Sequence, residues 1–591
     1  MTQESSPRKL LILYGSQTGT AQDVAEMLAR EARRYHFQAQ VLAMDEYDKA
    51  ELVQEKLVVF VCATTGQGEE PDNMKKFWKF LLRKNLPHDV LSNLEYTVFG
   101  LGDSSYIKYN FPAKKLYKRL AQLGATSFYP VGYGDDQHYL GYNGGLDPWQ
   151  DGLWKTLLDK YPLPVGVEII PADVLPPPSF RVEFLEKLDA NGELLHRIEN
   201  KISYEGFSAK VVKNERITAS DHFQDVRHIE LALDDKNVSY QPGDVLVIHP
   251  QNLPEAVSEF LDYMGWAEIA DKPFRLLPNE RRLPSHLPAA VTLRTLLLNY
   301  LDIFGRPRRT LFEMLAHFTT DELHTEKLRE FCTPEGQDEL FSYCYRPKRT
   351  VFEVLKDFGS ATIPLDYIFD VFAEMKPRSF SIASSGAAHP HEIHLCVAIV
   401  NYNTKMKTPR EGICTKWMAT LCPGDRLTGL SISRGTMRLP PELEIPAVFI
   451  GPGTGVAPMR SLIEERIQRG ARENFLYFGG RKKDKDFYYQ DEWNAYLKEG
   501  QLFLYSAFSR DQIDKIYVQH RLLENAKEIW RSIGELGGRI YLSGRSDKMP
   551  EQVREAIRDI IMKEGNMSPT DAEAYLKRME QTGRYQQECW S

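Results

Sequence analysis

The chain has 591 residues, which is too long for one hydrophobic core, so we expect three or four domains. Its composition is 42% hydrophobic and 26% charged, and its net charge of −8 excludes a general nucleic-acid-binding surface. No apolar run reaches the roughly 18 residues that span a bilayer, and residues 10–13 are too short a run for a signal peptide. The seven cysteines are scattered without Cys-x-x-Cys spacing. This pattern predicts no disulfide framework and no zinc or iron–sulfur site, and it fits a reducing cytosol.

Residues 1–160 alternate strand-like and helix-like segments. The apolar runs "LLILYG", "LVVFVCATTG" and "YTVFGLGDSS" end in small or hydroxyl residues, and helical patterns such as "TAQDVAEMLAREARRY" lie between them. Such alternation predicts a doubly wound parallel sheet. Residues 161–204 include the proline-rich stretch "LPVGVEIIPADVLPPPSF", which predicts a linker.

The loop "YGSQTGTA" (residues 14–21) joins a predicted strand to a predicted helix. Ser16, Thr18 and Thr20 offer hydroxyl groups, and the helix start offers backbone N–H groups to an anion. No lysine lies in the loop, so a single phosphate monoester fits better than a nucleoside triphosphate. Taken alone, the loop is equally explained by a hydroxyl-capped helix. Two further loops, "TTGQGEEPDN" and "GLGDSSYIKYN", follow strands at the same edge of the sheet, and a third, "GYGDDQH", contains Asp136.

Residues 205–440 have β character at both ends and a helical insert at about residues 252–370. The strand-like "RSFSIASS" places Arg378 and Phe380 on one face and Ser379 and Ser381 on the other. A barrel strand with a surface arginine would also explain it. The segment "EGICTKWMA" begins a helix whose N-terminus suits a pyrophosphate.

Residues 441–591 again alternate strand and helix. The turn "GPGTGVAPMR" departs from the strict GxGxxG pattern, and an ordinary glycine turn is the alternative. In "FSRDQIDKIYVQH", Ser509, Arg510 and Lys515 supply a hydroxyl and two cations for a ribose 2′-phosphate, and Tyr517 can stack on adenine. We expect the competing acid Asp511 to point away. The alternative is a solvated charged loop.

Together these motifs resemble the diflavin reductase family over nearly the whole chain. The resemblance implies an α/β multidomain protein: a flavodoxin-like domain that binds FMN, then a ferredoxin–NADP reductase-like β-barrel that binds FAD, then an α/β domain that binds NADPH. Hydride would pass from NADPH to FAD, and FMN would release electrons singly. The implied FMN contacts are Ser16, Gln17, Thr18, Gly19, Thr20, Ala21, Thr64, Thr65, Gly66, Gly68, Leu101, Gly102, Asp103, Tyr106, Asn110 and Asp136.

By the same resemblance, Tyr106 stacks on the FMN ring, while Thr65 stands where many relatives have a second tyrosine. The implied FAD contacts are Arg378, Ser379, Phe380, Ser381, Tyr402, Gly412, Ile413, Cys414, Thr415 and Trp590. The implied NADP contacts are Gly453, Thr454, Ser509, Arg510, Lys515, Tyr517 and Gln519.

The chain ends in "GRYQQECWS", and the resemblance makes Trp590 a lid on the FAD ring. The usual hydride-transfer set of relatives is a serine, a cysteine and an aspartate. Ser381 matches the serine, whereas Ser543 stands for the cysteine and Glu588 for the aspartate. Trp590 completes the set of implied catalytic residues.

Within the family, the motifs look most like the NADPH-dependent diflavin oxidoreductases of cytosolic iron–sulfur protein assembly. This resemblance implies a cytoplasmic enzyme with the iron–sulfur protein anamorsin as electron acceptor, and no nucleic acid or membrane span. The alternatives are a reductase for a P450 or another haem protein and, in a different class, a non-catalytic interaction protein on a flavoprotein scaffold.

Overall fold

The computed structural model describes residues 8–66, 68–106, 108–185, 202–279 and 281–590. The described chain divides into two compact units. The first comprises residues 1–201 and 254–376, and the second comprises residues 202–253 and 377–591. Residues 186–201 of the predicted linker lie outside the described residues.

The first unit begins with a parallel sheet of strand order β2-β1-β3-β4-β5, in which β6 also pairs with β4. Helices cover both faces, and each face buries its own apolar cluster, so the sheet is doubly wound. The strands are β1 (Lys9–Gly15), β2 (Gln38–Ala43), β3 (Leu57–Ala63), β4 (Glu95–Gly102), β5 (Thr126–Ser127) and β6 (Gly132–Asp135). The helices are α1 (Thr20–Arg34), α2 (Lys75–Leu81), α3 (Phe111–Gln122) and α4 (Asn143–Lys160).

The predicted linker contains a strand. Strand β7 (Phe180–Phe184) is followed, in the second unit, by β8 (Phe207–Arg216), β9 (Val226–Leu233) and β10 (Val245–Ile248). Phe180 is only 1% exposed because β7 pairs with a strand of the helical insert, where Phe184 lies opposite Phe274. Residues 180–184 of the predicted linker thus form a paired strand, since the apolar residues that follow the prolines are long-range pairing partners.

The insert belongs to the first unit. Its helices are α5 (Pro254–Tyr263), α6 (Leu293–Asn299), α7 (Arg309–Phe318), α8 (Glu322–Phe331), α9 (Gln337–Leu340), α10 (Val351–Asp357) and α11 (Ile368–Val371). Its short strands are β11 (Pro273–Pro278), β12 (Val291–Thr292), β13 (Leu301–Asp302) and β14 (Ala373–Glu374). Because α7 and the loop before it face the flavodoxin-like domain, the insert contributes charged side chains there.

The second unit begins with an antiparallel sheet of order β15-β10-β19-β8-β9-β16. Its later elements are β15 (Arg378–Ser381), β16 (Glu392–Ala398), β17 (Asn401–Tyr402), β18 (Arg410–Glu411), α12 (Ile413–Thr420) and β19 (Arg426–Ser433). A bridge between Ile382 and Leu395 joins the two end strands, so the sheet closes into a barrel around an apolar core.

A second parallel sheet, of order β22-β21-β20-β23-β24, follows in the same unit. Its strands are β20 (Ala447–Pro452), β21 (Asn474–Gly480), β22 (Phe503–Phe508), β23 (Arg539–Arg545) and β24 (Tyr585–Trp590). The helices are α13 (Val456–Gln468), α14 (Lys483–Asp486), α15 (Gln490–Lys498), α16 (Val518–Glu524), α17 (Ala526–Trp530), α18 (Met549–Glu564) and α19 (Pro569–Gln581). The expected tail is thus the edge strand β24, held in place by backbone pairing with β23.

Candidate functional site

The predicted phosphate loop lies between β1 and α1. Gly19 has φ 91°, a left-handed conformation that glycine adopts without a steric cost, and its N–H donates to Ser16 Oγ at 3.0 Å. In the described part of the chain no side chain caps α1, so Thr18, Thr20 and Ala21 stand at a helix start that is open to an anion. Gln17 differs, because its amide exchanges hydrogen bonds with Asp72, at 3.0 Å each.

The other predicted FMN residues follow β3, β4 and β6 at the same edge of the sheet. Thr65 pairs with Glu69 across a tight turn that contains Gly66 and Gly68. Asn110 is fully buried and donates from Nδ2 to the Gly134 carbonyl at 3.1 Å. Two buried atoms, Thr64 Oγ1 and Asn110 Oδ1, have no hydrogen-bond partner among the described residues. Such atoms suit the polar edge of a bound flavin, so the residues present fit FMN.

This edge of the sheet also carries the remaining predicted FMN residues, which are Leu101, Gly102, Asp103, Tyr106 and Asp136. The backbone N–H of Asp136 donates to the Gly102 carbonyl at 2.9 Å, and Asp103 accepts a hydrogen bond from Gln137 at 3.0 Å. Burial, and then the neighbouring Asp103 and Asp135, raise the pKa of Asp136. Tyr106 is half-buried, which leaves part of its ring available for stacking.

The predicted FAD residues lie on the barrel. Along β15, exposure falls from Arg378 and Ser379 to the half-buried Phe380 and Ser381, so the expected alternation of faces is not reflected in burial. Phe380 packs partly against the barrel core.

The pyrophosphate loop lies at the start of α12. In the described structure no side chain caps this helix at Gly412, and Ile413 begins it. The Thr415 hydroxyl accepts from the Val400 N–H at 3.0 Å. Burial raises the pKa of Cys414 to about 12, so this thiol packs rather than reacts. Tyr402 is 39% exposed on β17. The exposed Arg378 acts electrostatically on Cys414 in the first turn of this uncapped eight-residue helix, so the cation and the helix start together fit a pyrophosphate.

The nicotinamide loop joins β20 to α13 through Gly453 and Thr454. A Cβ on Gly455 would overlap the Ser543 carbonyl oxygen, so only glycine allows this loop to lie against β23. Ser543 is fully buried, and its Oγ has no hydrogen-bond partner among the described residues. It lies opposite Glu588, while Trp590 lies opposite Arg545 and is 40% exposed.

The predicted 2′-phosphate residues follow β22. Ser509 and Arg510 are held by backbone hydrogen bonds to Gly480 and Arg481, while the Arg510 and Lys515 side chains are exposed. Tyr517 is 42% exposed, but Gln519 is buried and donates to Gln552 at 3.1 Å. Asp511 accepts a hydrogen bond from the Lys483 backbone N–H at 3.1 Å.

Sequence reasoning missed the cations Arg481, Lys482 and Lys483, which follow β21 beside this loop. The signal was available, since "GGRKKD" places three consecutive cations directly after a predicted strand.

A buried ionic network joins the barrel to α13. The Arg460 guanidinium donates to the Ala383 carbonyl at 2.7 Å and pairs with Glu464 at 2.7 Å and Glu492 at 2.9 Å. Ala383 lies two residues after Ser381, so Arg460 connects the predicted FAD strand to the helix that follows the nicotinamide loop.

Two groups within this network have ligand atoms close enough to hold a metal ion, although the sequence predicted none: His228, Glu230 and His394, and His389, Glu392 and His394. Burial, then Arg460, lowers the pKa of His394 to about 2, and burial lowers that of His228 to about 3. Each of these two imidazoles already lies at hydrogen-bond distance from a carboxylate, and Arg460 lies 3.4 Å from His394 Nδ1. The adjacent cation opposes metal binding, so we interpret the cluster as a hydrogen-bonded network.

Three family models match the chain in this order: Flavodoxin over residues 12–149, FAD binding domain over residues 200–417, and Oxidoreductase NAD-binding domain over residues 449–555. The chain is 46% identical to NADPH-dependent diflavin oxidoreductase 1 of Xenopus laevis, an alignment that covers 99% of this chain and 100% of the relative. It is 44% identical to the protein of that name from Mus musculus, covering 99% of each. It is 39% identical to the protein of the same name from Schizosaccharomyces pombe, an alignment that covers 98% of this chain and 99% of the relative.

The chain belongs to the NADPH-dependent diflavin oxidoreductase family. This diflavin oxidoreductase uses FMN, FAD and NADPH, and its flavins supply electron transfer from NADPH to an acceptor. The chain itself supplies the binding loops, their orientation and the charges around them. Within the described ranges, no helix is both long enough and apolar enough to cross a membrane.

Proposed function

We propose that this diflavin oxidoreductase reduces an iron–sulfur protein of the anamorsin type in cytosolic iron–sulfur cluster assembly, and that it works in the cytoplasm. The observation that carries the proposal is the resemblance of its flavodoxin motifs to those of the iron–sulfur assembly members. Similarity over 99% of the chain to NADPH-dependent diflavin oxidoreductase 1 of Xenopus laevis supports the electron-transfer activity on which the proposal rests.

The charge around the predicted FMN loops also supports a protein acceptor. Asp103, Asp135 and Asp136 lie on adjacent loops, and Asp72 lies beside Gln17. Partial burial alone would raise the pKa of Asp135, but hydrogen bonds from Ser104 and Gln137 outweigh it and lower the pKa. An acidic rim favours rapid, salt-sensitive encounter with a partner that carries positive charge.

The residues named from the sequence take the following roles in this proposal. The loop at residues 16–20 binds the FMN phosphate, and Arg378 with the start of α12 binds the FAD pyrophosphate. Ser509, Arg510 and Lys515 bind the 2′-phosphate. Trp590 covers the FAD ring and moves aside for nicotinamide, while Ser543 and Glu588 orient and electrostatically stabilise the nicotinamide during hydride transfer.

The direct test mixes the purified chain with NADPH and oxidised anamorsin without oxygen, and follows loss of the visible absorbance of the iron–sulfur cluster. We expect NADPH-dependent reduction by the intact protein. The matched control is the same protein after removal of FMN, which should still reduce ferricyanide but no longer anamorsin. A haem protein reduced with a far higher kcat/KM than anamorsin would instead favour the haem-protein acceptor.

The acidic rim has its own test. Asp72→Asn should raise the KM for anamorsin and weaken its dependence on salt, because one rim charge is lost. Asp271→Asn, at an exposed aspartate of the insert paired with Arg294, is the matched control. An equal effect of both changes would contradict docking at the rim. Fractionation of cells that express the tagged chain tests the cytoplasmic location, which recovery in a membrane or organelle fraction would contradict.

A further inference from the structure

The phosphate loop of the flavodoxin-like domain contains no cation of its own. Residues 14–21 offer hydroxyls, backbone N–H groups and a helix N-terminus, but no lysine or arginine. A phosphate monoester carries about −1.5 to −2 charges at neutral pH. Dipoles can hold such an anion, but a neighbouring guanidinium adds stronger, charge-assisted hydrogen bonds.

The structure places an arginine of the helical insert against this loop, within the first unit. A Cβ built on Gly19 would overlap Arg308 Nη2, and it would lie 3.1 Å from Lys376 Cε. Arg308 directly precedes α7, nearly 300 residues after the loop in sequence. The lysine ammonium pairs with Glu374 at 2.6 Å, so its aliphatic stem, rather than its charge, lies beside Gly19.

The position of Arg308 is supported by further contacts between the insert and the flavodoxin-like domain. Arg308 Nη1 lies 3.6 Å from Asp23 Oδ1 on α1, one turn beyond the loop. Arg30 donates to Thr310 Oγ1 at 2.7 Å, and Arg309 pairs with Asp147 at 2.7 Å. These contacts hold the start of α7 against α1 and α4, so the Arg308 side chain, which is 25% exposed, is confined at the loop.

Arg308 keeps its positive charge at its position beside the loop. Burial opposes it, but Asp23 and Glu26 outweigh burial and raise the pKa of Arg308. Burial raises the pKa of Asp23, and the nearby Arg308 and Arg30 offset this effect only in part. Nη1 of the Arg308 guanidinium thus lies near the Asp23 carboxylate, while Nη2 lies against Gly19 of the loop. A planar guanidinium can bridge two anions in this way.

We propose that Arg308 of the helical insert binds the phosphate group of FMN together with the loop at residues 16–20. The FMN site is then built from two parts of the chain, and bound FMN favours contact between the flavodoxin-like domain and the insert. By linkage, loss of that contact weakens FMN binding. The proposal requires the FMN phosphate to lie at residues 16–20, and the experiment tests this requirement separately.

The experiment compares FMN with riboflavin, which has the same ring but no phosphate. Full-length protein freed of FMN is titrated with each flavin, and binding is followed by quenching of flavin fluorescence. Arg308→Gln should weaken FMN binding about 10-fold to 100-fold, the range for one charge-assisted hydrogen bond, and change riboflavin affinity less than about twofold. Arg308→Lys keeps the charge without the fork and should show an intermediate loss.

Two further variants separate the possible failures. Arg294→Gln removes an exposed arginine of the same insert, paired with Asp271, and should change neither affinity. Thr18→Ala tests the loop itself and should weaken FMN selectively. If Thr18→Ala does so while Arg308→Gln does not, the role of Arg308 is wrong although the loop is correct. If neither affects FMN, the loop assignment fails.

A charge change in the opposite direction keeps the proposal testable should Arg308→Gln fail to fold. Asp23→Asn removes the carboxylate that competes with the FMN phosphate for Arg308. The asparagine retains an oxygen that can accept the hydrogen bond that Thr310 Oγ1 donates to Asp23 at 3.2 Å in the structure. It should raise the ratio of FMN to riboflavin affinity severalfold. An unchanged or lowered ratio, or an equal loss of both flavins in Arg308→Gln, would overturn the proposal.

Discussion

Ser543 lies directly opposite Glu588, in register on the adjacent parallel strands β23 and β24. The two residues are 45 positions apart in sequence, with α18 and α19 between their strands. The register also sets Trp590 opposite Arg545, and the Ser546 N–H donates to the Trp590 carbonyl at 2.8 Å. The proposed hydride-transfer pair and the backbone of the proposed lid thus lie on two adjacent strands at one edge of one sheet.

Glu588→Gln should slow hydride transfer without weakening NADPH binding. The change keeps the shape of the side chain but removes the negative charge proposed to stabilise the developing nicotinamide cation. We expect kcat to fall about tenfold or more, with little change in KM for NADPH. A larger primary isotope effect with deuterated NADPH would show that hydride transfer has become limiting. A rise in KM alone would contradict the electrostatic role.

Removal of Trp590 and Ser591 should lengthen the lifetime of bound nicotinamide. Trp590 ends β24 and is 40% exposed, so its loss uncovers the proposed FAD surface while the rest of β24 stays paired. Tighter product inhibition by NADP⁺ and improved use of NADH are the expected readouts. Deletion of Ser591 alone is the control. Unchanged NADP⁺ affinity and unchanged NADH use would show that Trp590 is not a lid.

Arg510→Ala should weaken NADPH far more than NADH. Its side chain is exposed beside Ser509, and only NADPH carries the 2′-phosphate. Loss of one charge-assisted contact is worth about 1.5–3 kcal/mol, so KM for NADPH should rise at least about tenfold. Arg558→Ala, on the surface of α18, is the control. An equal effect on the two nucleotides would show that Arg510 does not bind the 2′-phosphate.

Arg460→Met should destabilise the second unit. The Arg460 side chain is 6% exposed. It pairs with the carboxylates of Glu464 and Glu492 and donates to the Ala383 carbonyl, so its removal leaves these buried groups without a cation. Breaking such a pair typically costs about 3–5 kcal/mol, measurable by urea denaturation. The exposed pair of Arg554 and Glu573 is the comparison, and Arg554→Met should cost about 1 kcal/mol or less. Equal costs would contradict a structural role specific to Arg460.

The stability of the second unit should fall as the pH drops below about 6.5. His228 and His394 stay neutral in the folded chain because their pKa values are about 3 and about 2, whereas both take up protons when unfolded. The unfolded state then binds more protons, so each histidine removes up to about 1.4 kcal/mol per pH unit between the unfolded and folded values. In His394→Gln, the urea midpoint should vary less between pH 7 and pH 5. An identical pH profile would contradict the buried neutral state.

The loops that follow strands could be predicted because their chemistry is local. A phosphate loop needs hydroxyls and glycine at a strand-to-helix junction, and residues 16–20 show this pattern directly. The linker prediction missed β7 because the pairing of Phe184 with Phe274 depends on a partner 90 residues away. The hydrogen bond that the buried Gln519 donates to Gln552 could not be predicted either, because its partner is also distant in the sequence.

The order of the domains, the family and the cofactors could be predicted from the amino-acid sequence, because cofactor loops impose particular residue types at short spacing. Three relationships became visible only in the folded chain: Arg308 lies against Gly19, Arg460 donates to the Ala383 carbonyl, and Trp590 ends a paired strand. These relationships join residues far apart in the chain, and they depend on how helices and strands pack and on the register of their pairing.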